Sequence, residues 1–189
     1  MNTPSHWLMT IAVGKLAPLA NKCPRWALGL GSVAPDIPLY LLSFGGIFYF
    51  WNILGWEKQR VFRHIFDDLY FKDPIWIGLH NFLHSPTMLA FLLAMAIAIR
   101  SIRPRLSRWL CFFFSACFLH SIVDVLTHND DGPVLFFPFN WQYRFSSPVS
   151  YWDRDHFGRL FMIFELALNI GLVGFLVWNW RRQSAVKGE

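Results

Sequence analysis

Residues 160–180 read LFMIFELALNIGLVGFLVWNW, an apolar run of 21 residues that holds a single carboxylate. About 20 such residues cross the hydrocarbon of a bilayer as a helix, and in that medium only helices and closed barrels satisfy their own backbone. The run ends in Arg181 and Arg182, which favours a cytoplasmic C-terminus. Glu165 and Asn169 lie one helical turn apart within it, so their common face is expected to point into a bundle or toward a polar site instead of lipid.

The rest of the chain fits the same setting. Of 189 residues, 54% are hydrophobic and 19% aromatic, while 15% are charged. A soluble domain carries about 25% charged residues. The net charge of +5 comes from basic residues in short groups between apolar runs, which is the pattern of topology signals and not of a nucleic-acid-binding tail. The expected fold is therefore all-α: a polytopic helical membrane protein with a compact bundle, an aromatic surface loop and one domain over residues 1–189. Cys23, Cys111 and Cys117 give neither a disulfide framework nor a zinc-ribbon spacing, and the latter two read as small buried side chains.

The first segment, SHWLMTIAVGKLAPLANK, offers Ser5 as an N-cap and Pro18 as a stop or kink. It has no basic leader and no small-residue cleavage site, so no cleavable signal peptide is expected. After WALGLGSVA comes PDIP, where Pro35 and Pro38 bracket Asp36 and impose a turn or a broken helix. Asp36 there either caps the next helix or ligates a metal. The run LYLLSFGGIFYFWNILGW approaches a membrane span, with Gly45 and Gly46 suited to close packing and Tyr49, Trp51 and Trp56 suited to an interface. EKQRVFRHIFDDLYFKD is polar enough to be an amphipathic helix or surface connection, and its His64 has no partner at ligand spacing.

Two motifs carry chemistry. In HNFLHSP, His80 and His84 stand four residues apart, and Ser85 and Pro86 then start the apolar MLAFLLAMAIAI. In HSIVDVLTH, His120 and Asp124 share one helical face, with His128 one turn further if the helix lasts that far. A carboxylate inside such an apolar segment is costly unless something binds it, and a metal ion held by Asp and His does so. Between the motifs, RSIRPRLSR places four arginines in nine residues, a cytoplasmic loop by charge. The preceding helix then runs inward from His84 and the following one outward to His120 and Asp124, which brings both motifs to the same non-cytoplasmic face. Residues 129–159 contain Gly132, Pro133, Pro138 and Pro148 among many aromatics and predict a non-helical cap on the membrane surface. Asp153, Asp155 and His156 form a weaker polar cluster there, read first as caps or surface ion pairs.

Taken in order, His6, the PDIP turn with Asp36, HNFLHS with His80 and His84, and HSIVD followed by a threonine and a glycine-containing loop resemble the bacterial membrane-bound metal-dependent hydrolase family, over residues 6 to about 139. The resemblance implies a multi-pass inner-membrane protein distantly similar to zinc-dependent phospholipase C. It carries metal-ligand roles onto His6, Asp36, His84, His120 and Asp124, with His80 as a further candidate. The chain departs from phospholipase C in its membrane-like composition and in lacking a secreted N-terminus.

Imidazoles and carboxylates suit Zn²⁺, whose charge makes hydroxide available near neutral pH. Asp36, His84, His120 and Asp124 are the expected core ligands, and His6 and His80 complete a second ion or orient the first, for one to three ions in all. Asp124 and His80 are the catalytic candidates, Asp124 as the carboxylate that positions water. The expected function is hydrolysis of a phospholipid or lipid-linked phosphoester, with membrane lipid as partner and no nucleic acid. No serine lies in a nucleophile elbow, and no glycine-rich phosphate loop follows a strand pattern. Two alternatives stay open: a non-catalytic structural or assembly protein using the same side chains for interhelical hydrogen bonds, and an ion transporter. The transporter ranks last because the polar groups gather toward one face instead of lining a path.

Overall fold

Proline sets most helix starts in this chain. In the computed structural model, which describes residues 1–16 and 24–187, Pro38, Pro74, Pro86 and Pro104 occupy first helical turns, where a missing N–H costs nothing. Pro18 and Cys23 lie outside the described residues. The helices are α1 (Thr3–Leu16), α2 (Arg25–Val33), α3 (Ile37–Ile47), α4 (Lys58–Arg63), α5 (Tyr70–Lys72), α6 (Pro74–Phe82), α7 (Pro86–Ala98), α8 (Pro104–Thr127) and α9 (Gly158–Lys187). Wider π-type turns extend α3 through Ile53 and join α4 to α5 over His64–Leu69. The fold is all-α, with no sheet among the described residues beyond an isolated bridge between Val134 and Arg144.

Ser5 is not the cap of α1. The helix starts at Thr3 because Pro4 already sits in its first turn, and Ser5 is buried inside it. Asp73, in contrast, caps α6 by accepting from the backbone N–H groups of Ile75 and Trp76 at 2.9 and 3.1 Å.

The protein is a polytopic helical membrane bundle. α8 and α9 are each long and apolar enough to cross a bilayer, and α2 with α3 and α6 with α7 pass the same test as pairs, bent by 44° and 48°. Both bends follow from proline: Pro35 has no N–H with which to continue α2, and Pro86 restarts the chain as α7. α1, α2, α7, α8 and α9 make one layer. Its core of Ala34, Leu89 and Cys117, surrounded by Leu83, Phe113, Phe114 and Phe118, joins α2, α7 and α8. Cys111 and Cys117 are both unpaired, and Cys117 is buried.

α3 to α6 form a second layer around Val61, Ile65 and Trp76, closed by Leu39, Leu42, Ile47, Phe50, Trp56 and Leu69. Gly46 lies against Ile65 and Trp76, while Gly45 faces open space, so close packing uses one glycine of the pair. The irregular aromatic stretch from His128 to Phe157 rests on this layer. It is held by the cluster of Ile77, Val134 and Phe137 and by Asn81, whose Oδ1 accepts from the Val134 N–H at 2.7 Å.

Candidate metal centre

Both helix breaks lie at the same point of the fold. Asp36 stands between α2 and α3, His84 stands between α6 and α7, and α8 carries His120 and Asp124 past them. One ligand atom from each of these four residues falls within 4.8 Å of all the others. Asp124 Oδ2 is 3.0 Å from His84 Nε2 and 3.1 Å from His120 Nε2, and His120 Nε2 is 3.3 Å from Asp36 Oδ1. On its other side, Asp124 Oδ1 is 2.8 Å from His6 Nε2 and 2.8 Å from the amino nitrogen of Met1. His6 and His120 are fully buried and Asp124 is 3% exposed, while Asp36 is only partly buried.

The donor set fits a divalent cation. His120 Nδ1 donates to the Ser32 carbonyl at 2.7 Å, so that in the neutral ring Nε2 is the nitrogen that keeps a lone pair. That Nε2 is buried without a hydrogen-bond partner and faces two carboxylates. A lone pair between two anions in a dry pocket is unfavourable by itself and favourable around a cation. Two imidazole nitrogens and two carboxylate oxygens match the ligand chemistry of zinc and its neighbours.

The other two sequence candidates flank the four. His6 reaches Asp124 from α1 and stacks on His120 with ring centroids 3.7 Å apart. His80 lies edge-on to His84 at 4.7 Å, close to the Tyr70 hydroxyl, and its Nδ1 is buried without a partner. His80 and His84 do not share one uninterrupted helix, because α6 ends at Phe82. α8 likewise ends at Thr127, yet His128 still places Nε2 3.6 Å from Asp124 Oδ1 and Nδ1 3.0 Å from Asp131 Oδ1. Burial opposes charge on His128, but the neighbouring carboxylates of Asp124 and Asp131 outweigh it and hold its pKa above the ordinary imidazole value.

The centre forms the floor of a cleft of about 470 Å³. His80, His84, Asp124 and His128 face it from below, and Leu39, Phe66, Phe71 and Trp152 line its apolar parts. Tyr70, Tyr151 and Asp131 also line it, and Trp152 is fixed by donating to Asp131 Oδ2 at 2.8 Å. Burial pushes the Tyr70 hydroxyl up to about 12, so it stays a donor, and it gives its proton to the Asp131 carbonyl at 2.6 Å. Sequence reasoning missed Thr3, Tyr70 and Asp131. Thr3, three residues before His6, donates to Asp36 Oδ2, a spacing that could have been read as one face of α1.

The other polar residues noted in the sequence lie elsewhere. His64 packs edge-on against Phe50 and Trp56 in the second layer. Asp153 closes a local turn, accepting from the Asp155 N–H at 3.0 Å and meeting His156 Nδ1 at 2.6 Å. Glu165 contacts Asn2 instead of the cleft.

No curated protein and no solved structure matches this chain. A family model described as YdjM inner membrane protein matches residues 1–187, and the chain belongs to that family. It is accordingly a multi-pass inner membrane protein with a His/Asp cluster able to bind a divalent metal.

Proposed function

We propose that this member of the YdjM inner membrane protein family is a metal-dependent hydrolase of a phospholipid or lipid-linked phosphoester, working at the non-cytoplasmic face. The observation that carries this reading is the convergence of Asp36, His84, His120 and Asp124, the first, second and fourth of which line a cleft that also has apolar walls. A phosphoryl headgroup reaches the polar floor while acyl chains stay among Leu39, Phe66, Phe71 and the helices. The orientation follows from charge: Lys15, Arg25, the four arginines from Arg100 to Arg108, and Arg181 and Arg182 all lie at the helix ends away from the site.

Asp36, His84, His120 and Asp124 would hold the ion, and a zinc ion there would contribute Lewis acidity and a lowered pKa of water. The chain's own groups divide the remaining work. Ser32 holds the His120 tautomer. Asp124, whose Oδ1 is held by His6 and the Met1 amino group, is assigned as the carboxylate that positions the attacking water, and His80, which lines the cleft with its Nδ1 unpartnered, is the second catalytic candidate. His6 and His80 are the candidates for a second ion.

The test is elemental analysis of detergent-purified protein, comparing wild type with His120→Ala and Asp124→Ala under matched folding checks, followed by a phosphoester hydrolysis screen with and without chelator. Stoichiometric zinc that is lost in both variants, with chelator-sensitive turnover, is the expected result. Folded wild type free of any transition metal refutes the reading and puts a structural membrane protein first. The two broken helices favour ion transport as a second reading, since transporters place ion sites at such breaks. Metal uptake into sealed vesicles without hydrolysis would select it.

A further inference from the structure

The start of α1, with Asn2 just before it, carries two polar faces. Asn2 and Ser5, three residues apart, turn to α9: the Asn2 backbone N–H and Nδ2 donate to Glu165 Oε1 and Oε2, each at 2.8 Å, and Ser5 Oγ accepts from Asn169 Nδ2 at 2.8 Å. Thr3 and His6, also three apart, turn to the candidate metal centre, Thr3 donating to Asp36 Oδ2 and His6 meeting Asp124 Oδ1 at 2.8 Å. The same short piece of helix is thus gripped by α9 on one side and grips two carboxylates of the centre on the other.

Glu165 is 4% exposed, whereas its neighbours Phe164, Leu166 and Ile163 are exposed to what is lipid in the membrane. A carboxylate in a membrane span is costly unless its oxygens are satisfied, and both oxygens of Glu165 are taken by Asn2. Neither of them lines the cleft, so Glu165 is not placed to act as a base.

The geometry points to Glu165 as a positioning residue: by locking Asn2 it sets the register of Thr3 and His6, and through them the arrangement of Asp36 and Asp124 around the metal. This assignment rests on the metal-centre reading above and adds α9 to that centre as its outer support. Partners that orient metal-binding groups change affinity by ~10- to 100-fold when removed. Charge matters as well as shape here. A glutamine at this position keeps one acceptor for the Asn2 N–H but turns an NH₂ group toward Asn2 Nδ2, so Glu165→Gln is expected to lose part of the effect and Glu165→Ala all of it.

The experiment is Co²⁺ titration of full-length detergent-purified protein against a competing chelator, reading both the dissociation constant and the visible d–d spectrum, with helicity and unfolding midpoint measured in parallel. Expected are a dissociation constant raised ~10- to 100-fold and an altered spectrum in Glu165→Ala, a smaller rise in Glu165→Gln, and a smaller rise in Asn2→Ala, which keeps the backbone contact. Wild-type affinity and spectrum in Glu165→Ala overturn the assignment while leaving the metal centre intact. If Glu165→Ala does not fold, Glu165→Gln and Asn2→Ala decide it, and wild-type binding in both overturns it. Folded wild type that takes up no Co²⁺ overturns the metal reading and this assignment together.

Discussion

A methyl group added at Gly31 tests the bundle and the site at once. Gly31 is where α2 comes closest to α8: a Cβ there would meet the Phe113 carbonyl oxygen and lie 2.9 Å from the Ala116 Cβ. Carbon pairs settle at about 3.5–4.0 Å, so the helices must part by roughly 0.6–1.1 Å. The obstacle is helix backbone and cannot rotate away. Overpacking of this kind costs about 1–3 kcal/mol, against about 1 kcal/mol gained from replacing glycine inside a helix. Gly31→Ala is therefore expected to destabilise the protein by up to about 2 kcal/mol. The shift also reaches the centre, because Asp36 follows Gly31 by five residues and faces His120 on α8. A tolerance of about 0.5 Å at a metal site is exceeded, and metal affinity should fall ~10-fold. The assay is the denaturant midpoint of detergent-solubilised protein together with Co²⁺ affinity. Gly45→Ala is the control, since nothing lies within 4 Å of its added methyl group. Wild-type stability and affinity in Gly31→Ala would refute the close crossing of α2 and α8 as the element that aligns Asp36 with His120.

Two further substitutions probe the layer above the site. Asn81→Leu leaves the buried Val134 N–H without its acceptor and should cost about 1–3 kcal/mol, read as a lower unfolding midpoint and faster proteolysis within residues 128–157. Asp73→Ala removes the cap of α6 and should cost about 1 kcal/mol, whereas Asp73→Asn should retain most of the stability; equal midpoints in all three proteins would show that the cap contributes nothing.

Local chemistry made part of this molecule readable in advance. The apolar runs at α8 and α9 exceed what any soluble helix needs, and Pro35 and Pro38 around Asp36 leave the backbone no way to continue as one helix. The HxxxD spacing of His120 and Asp124 puts both on one face whatever the rest of the fold does. What could not be read depended on partners far away in the chain. Nothing around Tyr70 says that a segment of apparently polar surface folds back over the centre, because its partner, the Asp131 carbonyl, is 61 residues away. Glu165 and Asn169 were legible as a buried face of α9, but not that Asn2 and Ser5 would fill it. Ser5 looked like a cap because capping is a local signal, and Pro4 beside it carried the stronger one.

The breaks and the site also depend on each other physically. Stopping a helix inside a membrane leaves carbonyls without their N–H partners, and such backbone is tolerated only where protein satisfies it. In α2 the Asp36 N–H turns to Val33 O instead of Ser32 O, which frees the Ser32 carbonyl. His120 Nδ1 takes that carbonyl, and the same bond is what aims His120 Nε2 at Asp36 and Asp124. At the second break the His84 carbonyl accepts from the Ser121 hydroxyl, one residue along α8 from His120. α8 thus answers both interrupted helices with adjacent side chains, and the polar groups released by the breaks become the supports of the ligands. A straight α2–α3 or α6–α7 would need no such partners, but it would also remove the Ser32 acceptor that orients His120, so the bends are part of what builds the centre.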